Sequence, residues 1–206
     1  PGIMEHIERA GVHSGDSIAV YPPITINDVL LHQVIDCSTK LTLALGTRGL
    51  TNIQYLIYQG ELYVIEVNPR ASRTVPYISK VTGVPMVDLA TRAMMGEKLA
   101  DLGYGTGVTR TPPYFAVKVP VFSFEKLIDV DSSLGPQMKS TGEVLGLGRS
   151  LEEALMKGLI SAGFAVDARR DGQPAGVLIS VSDEDKFEIV RLAKKFLDCG
   201  MTIYAT

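Results

Sequence analysis

The stretch from Thr51 to Arg73 constrains the fold of this chain more than any other segment. Two runs rich in β-branched and aromatic residues, TNIQYLIY and ELYVIEVN, flank the dipeptide at residues 59–60, a pattern typical of a β-hairpin. Glu66 and Asn68 are two positions apart in the second run, so a strand places both side chains on one face. Arginines follow them in the same stretch. Oxygen-bearing side chains can bind a metal ion, and the arginine side chains that follow can bind a phosphate.

The length of the hairpin loop decides which polar side chains share a face. A two-residue loop would oppose Ile53 to Glu66 and place Gln54 on the other face. A three-residue loop at residues 58–60, with its glycine left-handed, instead groups Gln54 with Glu66 and Asn68, and we predict this loop. Three oxygen-bearing side chains with one carboxylate suit Mg²⁺ or Mn²⁺. From spacing alone, a solvated edge hairpin with ordinary polar residues is the simpler interpretation.

The composition predicts a folded domain without nucleic-acid or membrane partners. Hydrophobic residues make up 46% of the 206 residues, and the net charge of -3 comes from interspersed signs without a basic patch. The sequence has no apolar run long enough to span a bilayer. Cys37 and Cys199 lack metal-type spacing, which predicts reduced thiols and a cytoplasmic location. Because the chain starts at Pro1 and stops at Thr206 inside a predicted strand, we interpret it as a piece of a longer polypeptide.

Apolar periodicity predicts helices at residues 27–45 and 150–162, and proline and glycine punctuation predicts a short helix at 85–95. Asn27 and Ser150 are the expected N-caps, and Glu153 completes a capping box with Ser150. Residues 114–119 are predicted to form a strand. The glycine-rich segment 134–146 lacks the Lys-Ser/Thr ending of a Walker loop, so we predict a structural loop there.

The C-terminal segment changes to a strand–helix–strand pattern after a polar linker at residues 167–174. Residues 176–181 and 201–206 are the predicted strands, and 182–199 is the helix, with Ser182 as its N-cap. An apolar strand joined through a helix to a second strand predicts the opening of a parallel α/β domain.

The residues of the hairpin carry a resemblance to a known family. The sequence EVNPR at residues 66–70, preceded by Gln54 on the neighbouring strand, resembles the metal and nucleotide end of an ATP-grasp ligase. The segments ASRTVPYISKVTGVP at 71–85 and LGPQMKSTGEVLG at 134–146 resemble carbamoyl phosphate synthetase large subunits, in the C-terminal half that phosphorylates carbamate.

The resemblance implies an α+β fold in three parts. Residues 1–95 would form the C-terminal lobe of an ATP-grasp domain, with an antiparallel sheet and flanking helices. Residues 96–165 would form an extension or connector, and 166–206 the truncated first βαβ unit of a methylglyoxal-synthase-like regulatory domain.

The resemblance also assigns candidate site residues. It implies that Mg or Mn is held by Gln54, Glu66 and Asn68, the first two of which also meet ATP. Arg70 and Arg73 become candidates for contact with the transferring phosphoryl group. Without the resemblance, the sequence is equally consistent with two surface arginines that cap the next helix. The remaining candidate ATP contacts lie in one early loop: Gly11, Val12, His13 and Ser14.

The family implies further partners. A nucleotide effector would contact Ser180, Lys186 and Thr206. Carbamate and ATP would be substrates of this half, and a glutaminase small subunit and the N-terminal part of the large subunit would be protein partners. The whole enzyme would make carbamoyl phosphate from bicarbonate, glutamine or ammonia, and ATP, for pyrimidine and arginine biosynthesis, and this piece alone would be inactive. Two alternatives are a regulatory connector without catalysis and another ATP-grasp ligase such as a biotin-dependent carboxylase.

Overall fold

The computed structural model describes residues 2–108, 111–124, 131–164, 169–170, 173–174, 176–183 and 186–206. Two compact units divide the chain between Phe164 and Ala165. The elements of the first unit are, in chain order, β1 (Glu5–His6), β2 (Ala19–Tyr21), α1 (Asp28–Ala44), β3 (Asn52–Tyr58), β4 (Glu61–Asn68), α2 (Thr74–Thr82), α3 (Met86–Met94), a 3-10 turn (Leu99–Leu102), β5 (Phe115–Val121), β6 (Gly142–Gly148) and α4 (Leu151–Ser161).

An antiparallel sheet with the order β1-β2-β5-β6 is the centre of the first unit. Successive side chains of β5 point to opposite faces, so the strand contributes to two cores. Val117 and Val119 pack with Val20 and Ala154 on the face that α4 covers. The other face meets α2 in a second cluster: Tyr21, Tyr77, Val81 and Ala116. The predicted α+β class, an antiparallel sheet with flanking helices, is confirmed.

The β3–β4 hairpin is a separate two-stranded sheet, and its turn differs from the prediction. Tyr58 pairs with Glu61, so the loop contains only Gln59 and Gly60, with φ values of 51° and 82°. Two positive φ values are the signature of a type I′ turn, whose twist matches that of the flanking strands. The predicted three-residue loop is therefore wrong, because the left-handed conformation of Gln59 lets two residues close the hairpin.

The predicted helix starts are confirmed by their capping bonds. The Asn27 side-chain oxygen accepts a hydrogen bond from the Leu30 amide at 2.9 Å, and the Ser150 hydroxyl accepts one from the Glu153 amide at 3.2 Å. The Glu153 carboxylate accepts from the amide of Arg149 at 2.7 Å, one residue before the N-cap. The capping pair therefore satisfies one amide inside the helix and one just outside it.

The glycine-rich segment 134–146 is a loop only in its first part. From Gly142 the chain continues as β6, which pairs with β5 along its whole length. A Cβ atom at Gly146 would lie 2.6 Å from the Gly158 backbone nitrogen, and one at Gly148 would lie 2.8 Å from the Glu153 Cβ. These glycines therefore let α4 pack directly against the strand. The prediction of a loop across all of 134–146 is corrected accordingly.

The boundary predicted at residue 95 does not divide compact units. β2 from the predicted lobe pairs with β5 from the predicted connector, so both segments share one sheet and the core beneath it. A strand order that alternates between distant segments cannot be seen in local sequence patterns, because hydrogen-bond partners are chosen only in the folded state.

The second unit, residues 165–206, contains β7 (Arg169–Arg170), β8 (Gln173–Pro174), β9 (Gly176–Ile179), α5 (Lys186–Asp198) and β10 (Thr202–Ala205). β9 and β10 pair in parallel, which confirms the predicted strand–helix–strand order. The short strands β7 and β8 pair within the predicted linker, whose other residues lie outside the described ranges. Residues 184–185, between the predicted cap Ser182 and α5, also lie outside them. Within the part of the chain that the structure describes, none of the helices combines the length and the apolar character that a membrane span requires.

Candidate metal and nucleotide site

Gln54 and Glu66 lie directly opposite each other in the hairpin because of a β-bulge. Tyr55 pairs with Val64 and Gln54 pairs with Glu66, so Ile65 is the extra residue on β4. Beyond the bulge Asn52 pairs with Asn68. The bulge shifts the register by one residue, which compensates for the two-residue turn. The predicted grouping of Gln54, Glu66 and Asn68 on one face is therefore present, although a different backbone feature produces it.

Hydrogen bonds hold these side chains in two pairs, one of which reaches the early loop. The Asn68 amide group donates to Glu66 Oε1 at 2.8 Å, and the Gln54 amide group donates to the Ser14 hydroxyl at 2.7 Å. The amide nitrogens are thereby used within the protein, and the carbonyl oxygens of Gln54 and Asn68 are the side-chain atoms of these amides that could bind a cation. One carboxylate and two amide oxygens suit a hard cation that takes further oxygens from phosphates.

The loop at residues 11–17 is fixed by hydrogen bonds within it and by one to Gly135. The His13 amide donates to the Gly135 carbonyl at 2.8 Å, and the Gly15 amide donates to His13 Nδ1 at 3.0 Å. Because Nδ1 accepts a bond, the imidazole proton resides on Nε2. Gly11 has a φ of 106°, which only glycine adopts without strain, so the loop begins with a backbone turn that a side chain would oppose.

Asp16 anchors this loop to the segment at residues 139–140. Its carboxylate is fully buried and accepts the backbone amides of Lys139 and Ser140, each at 2.8 Å. Burial alone would raise the pKa of this carboxyl, but the hydrogen bonds from Ser140 and Lys139 outweigh it, and the pKa of Asp16 lies below its ordinary value. The ionised carboxylate thus joins the early loop to the start of the segment that leads into β6.

The two candidate arginines have separate partners. The Arg73 guanidinium donates to the Gly15 carbonyl at 2.9 Å and to the Ser140 hydroxyl at 2.8 Å, and it lies 3.3 Å from Glu143 Oε2. Arg70 is exposed and donates to the Ala71 carbonyl at 3.0 Å. Arg73 is the N-cap residue of α2, but its side chain makes no capping bond, so helix capping does not describe its role.

Lys118 also contacts the early loop, and the sequence analysis did not predict this. It is 1% exposed, and its ammonium group donates to the Ser14 carbonyl at 3.0 Å. Burial lowers its pKa, and the nearby Arg73 adds to that, whereas Glu143, Glu8 and Asp16 oppose it. The available signal was a lysine in the middle of the otherwise apolar strand β5, since lysine is almost never fully buried without a partner.

The candidate effector residues of the second unit are only partly brought together. The Thr206 hydroxyl donates to the Ser180 hydroxyl at 2.9 Å, at the end where both parallel strands finish. Lys186 is paired with Asp183 at 2.6 Å, and both side chains are mostly exposed. Within the described part of the chain, no three histidine, cysteine, aspartate or glutamate side chains form a metal-binding group.

Comparison with known proteins identifies relatives along the whole chain. A family profile described as "Carbamoyl-phosphate synthase L chain, ATP binding domain" matches residues 3–102. The chain is 55% identical over all 206 residues to the carbamoyl phosphate synthase large chain of Clostridium botulinum (strain Kyoto / Type A2) and covers 19% of that protein. It is 56% identical over 206 residues to the protein of that name from Clostridium perfringens (strain 13 / Type A), again covering 19%. The chain thus spans about a fifth of the length of these curated relatives.

Solved structures show the fold. The N5-carboxyaminoimidazole ribonucleotide synthetase from Thermotoga maritima aligns with a TM-score of 0.53 at 18% identity, over 71% of this chain and 44% of that one. The enzyme of the same name from Thermus thermophilus aligns with a TM-score of 0.53 at 17% identity, over 77% and 44%. At these identities the likeness speaks for an ATP-grasp-like fold alone, which agrees with the resemblance in the sequence.

Proposed function

Because the chain belongs to the carbamoyl phosphate synthase large-chain family, we propose that its first unit carries the metal and phosphate side of an ATP-grasp site. The observation that carries this proposal is the pair of contacts Ser14–Gln54 and Glu66–Asn68, in which the bulge places Gln54 opposite Glu66. A structural edge hairpin has no requirement for an irregularity that restores one polar pair. With the two-residue turn seen here, a site that must present three oxygens to one cation does require it.

The proposed ligands of Mg²⁺ or Mn²⁺ are Gln54, Glu66 and Asn68. When bound, the ion would neutralise phosphate charge during phosphoryl transfer to carbamate. Glu66 supplies the ionic ligand, and the Asn68 amide group holds that carboxylate in place through its 2.8 Å bond. Phosphates would supply the remaining oxygens, as is usual for sites with one or two carboxylates.

The ATP contacts are proposed to extend from Gln54 and Glu66 to the loop at residues 11–14. Ser14 is the structural link, since its hydroxyl accepts from Gln54 while its carbonyl accepts from Lys118. Gly11 is exposed, and Val12 and His13 are half-buried, so a ligand can reach this loop from the solvent side.

Arg70 and Arg73 are proposed to act on the transferring phosphoryl group. Phosphoryl transfer asks mainly for positioning and charge neutralisation, which guanidinium groups provide through bidentate hydrogen bonds. Arg70 can reorient toward a ligand at small cost, because its exposed side chain bonds to the carbonyl of its own sequence neighbour. Arg73 is held by Gly15 and Ser140, which gives it a fixed direction beside the early loop.

The complete enzyme is proposed to make carbamoyl phosphate from bicarbonate, glutamine or ammonia, and ATP, in the cytoplasm, for pyrimidine and arginine biosynthesis. In this proposal the rest of the large chain and a glutaminase small subunit are the protein partners, consistent with the 19% coverage of the relatives. ATP-grasp sites lie between two lobes, so we expect these 206 residues alone to bind metal and nucleotide without turnover.

Titration of Mn²⁺ into the chain, with and without ADP, tests the proposed site. Electron paramagnetic resonance of free Mn²⁺ gives the dissociation constant. We expect saturable binding that ADP tightens, and a loss of at least about tenfold in affinity for Glu66→Gln, because the ionic ligand becomes neutral at nearly constant shape.

Glu61→Gln is the matched control, since Glu61 is an exposed carboxylate at the turn end of the same strand and accepts from Tyr63. Its affinity should equal that of the unaltered chain. Absence of saturable binding in the unaltered chain, or an equal loss in both variants, would contradict the proposed metal site.

A second proposed role is nucleotide-effector binding by the second unit, at Ser180, Lys186 and Thr206. The support is the 2.9 Å contact between the two hydroxyls where the parallel strands end, a position suited to anions. Calorimetric titration with a nucleoside monophosphate tests it. Lys186→Ala should weaken binding, while Lys194→Ala, an exposed lysine later on the same helix, should not. Equal affinities for the two variants would refute the role of Lys186.

A further inference from the structure

Lys118 contacts the proposed nucleotide loop from the sheet side. Its side chain shares a face of β5 with Ala116, which belongs to the core beneath α2, and it is 1% exposed. Its ammonium group reaches the Ser14 carbonyl at 3.0 Å, across 104 positions of sequence. A lysine at this depth incurs a desolvation penalty that an apolar residue of similar length would avoid. A buried charge with a specific backbone acceptor therefore calls for an explanation beyond packing.

The carbonyl that Lys118 holds belongs to the residue that contacts the hairpin. Ser14 accepts from Gln54 through its hydroxyl at 2.7 Å, so its backbone and its side chain are each held by a hydrogen bond. The next carbonyl, that of Gly15, accepts from Arg73 at 2.9 Å and from the Ser140 hydroxyl at 3.0 Å. Asp16 then fixes the end of the loop through two amides. Lys118 is the cation whose bond acts at Ser14 itself.

We propose that Lys118 is a positioning residue of the nucleotide site, which sets the orientation of Ser14 and, through Ser14, that of the Gln54 side-chain amide. The inference rests on the proposed function of the hairpin and deepens it. The Gln54 amide group has one orientation in which its nitrogen donates to Ser14, and in that orientation its oxygen would be the atom left for the metal. If the Ser14 hydroxyl moves, that orientation is no longer selected, and metal affinity falls although no ligand has been removed.

A double-mutant cycle tests the path through Ser14. Lys118→Met, which keeps chain length without the charge, should weaken Mn²⁺·ADP binding by about tenfold, the scale of losses from residues behind metal ligands. Ser14→Ala should weaken it comparably. The double variant should bind like Ser14→Ala alone, because the lysine then has no hydroxyl left to orient. Multiplication of the two losses would overturn the proposal, since it would mean that Lys118 acts independently of Ser14.

Lys157→Met is the matched control, because this lysine is exposed and bonds to the Leu147 carbonyl and Glu153, away from the loop. It should leave affinity unchanged. Thermal unfolding of every variant separates positioning from global destabilisation. If Lys118→Met fails to fold, Lys118→Arg replaces it: a larger guanidinium cannot place its donor at the same point, so unchanged affinity in that folded variant would overturn the proposal.

Amide hydrogen exchange tests the positioning role of Lys118 in the absence of nucleotide. The Gly15 and Asp16 amides bond to His13 within the loop, and Lys118→Met should accelerate their exchange by about tenfold while amides of α4 stay protected. Unchanged exchange would refute the positioning role even if the chain binds no nucleotide. Failure of Mn²⁺·ADP binding in the unaltered chain would instead refute the proposed function, so the two failures are distinguishable.

Discussion

Gln54 lies directly opposite Glu66 across the hairpin, although the turn at Gln59 and Gly60 by itself would place Gln54 opposite Ile65. The one-residue bulge at Ile65 accounts for the difference. Turn and bulge are therefore a matched pair: each shifts the register by one residue, and together they assemble the polar face that either alone would disperse.

Deletion of Ile65 tests this relationship. Without the bulge the two strands pair regularly from the two-residue turn onward, and the carboxylate still falls opposite Gln54. We expect Mn²⁺ affinity to change by less than about threefold, as only local twist is lost. Deletion of Gln59 from the turn is the contrasting variant, because it removes a residue without removing the bulge. The Gln59 deletion should abolish Mn²⁺ binding. If the Gln59 deletion retains binding, or if the Ile65 deletion loses it, the register argument is contradicted.

The glycine in β6 that faces α4 should be intolerant of a methyl group. Gly146→Ala places a Cβ 2.6 Å from the Gly158 nitrogen and 3.0 Å from its Cα, which backbone atoms cannot vacate cheaply. We expect a loss of about 3 kcal/mol or more in the free energy of unfolding, measured with urea.

Gly142→Ala is the control on the same strand, since its Cβ would meet Val121 Cβ at an ordinary 3.7 Å. Its free energy of unfolding should change by less than about 1 kcal/mol. Similar losses in both variants would mean that contact with α4 does not explain the intolerance at Gly146.

Asp16→Asn should destabilise the unit even though the side chain keeps its size. One carboxylate oxygen becomes an NH₂ group facing a backbone amide of Lys139 or Ser140, so a donor meets a donor in a fully buried position. Loss of a charge-assisted bond with an unsatisfied amide costs about 2–3 kcal/mol. Urea unfolding measures it, with the exposed Asp36→Asn, whose partner is Lys40, as the control. A loss below that of the control would contradict the anchoring role.

Tyr77 should make stability depend on alkaline pH. Its hydroxyl donates to the Ala116 carbonyl at 2.7 Å, and burial, with the charge of Glu143, raises the pKa of this buried phenol well above its ordinary value. The folded state therefore keeps the proton while the unfolded chain loses it above about pH 10. Stability is fully present below that pH and is lost as pH rises through the window between the two pKa values.

Tyr77→Phe should cost about 1–2 kcal/mol at pH 7, because the Ala116 carbonyl loses its side-chain donor. The difference between the two proteins should shrink above about pH 10, as only the tyrosine form is penalised by ionisation in the unfolded state. Urea unfolding measures the stability difference at two pH values. One is neutral pH, and the other is about half a pH unit above the ordinary phenol pKa of roughly 10. Tyr63→Phe, an exposed phenol bonded to Glu61, is the control and should differ little at either pH. A constant difference for Tyr77→Phe would contradict the linkage.

The sequence by itself determined the local elements and the identity of the candidate ligands. Helix starts at Asn27 and Ser150 follow from cap chemistry that acts within the first turn, and the strand–helix–strand order of residues 176–206 follows from apolar runs and glycine stops. The placement of the Glu66 and Asn68 side chains on one face follows from the period of two along a strand.

Only the tertiary structure decided how those ligands meet. The positive φ of Gln59 and the bulge at Ile65 belong to the pairing register of β3 with β4, which the sequence left open between two loop lengths. The same holds for Lys118, whose acceptor on Ser14 is 104 residues away, and for Asp16, which binds amides 123 and 124 residues later. Buried polar groups must find partners wherever the sheet order brings them, so their roles appear only when distant strands pair.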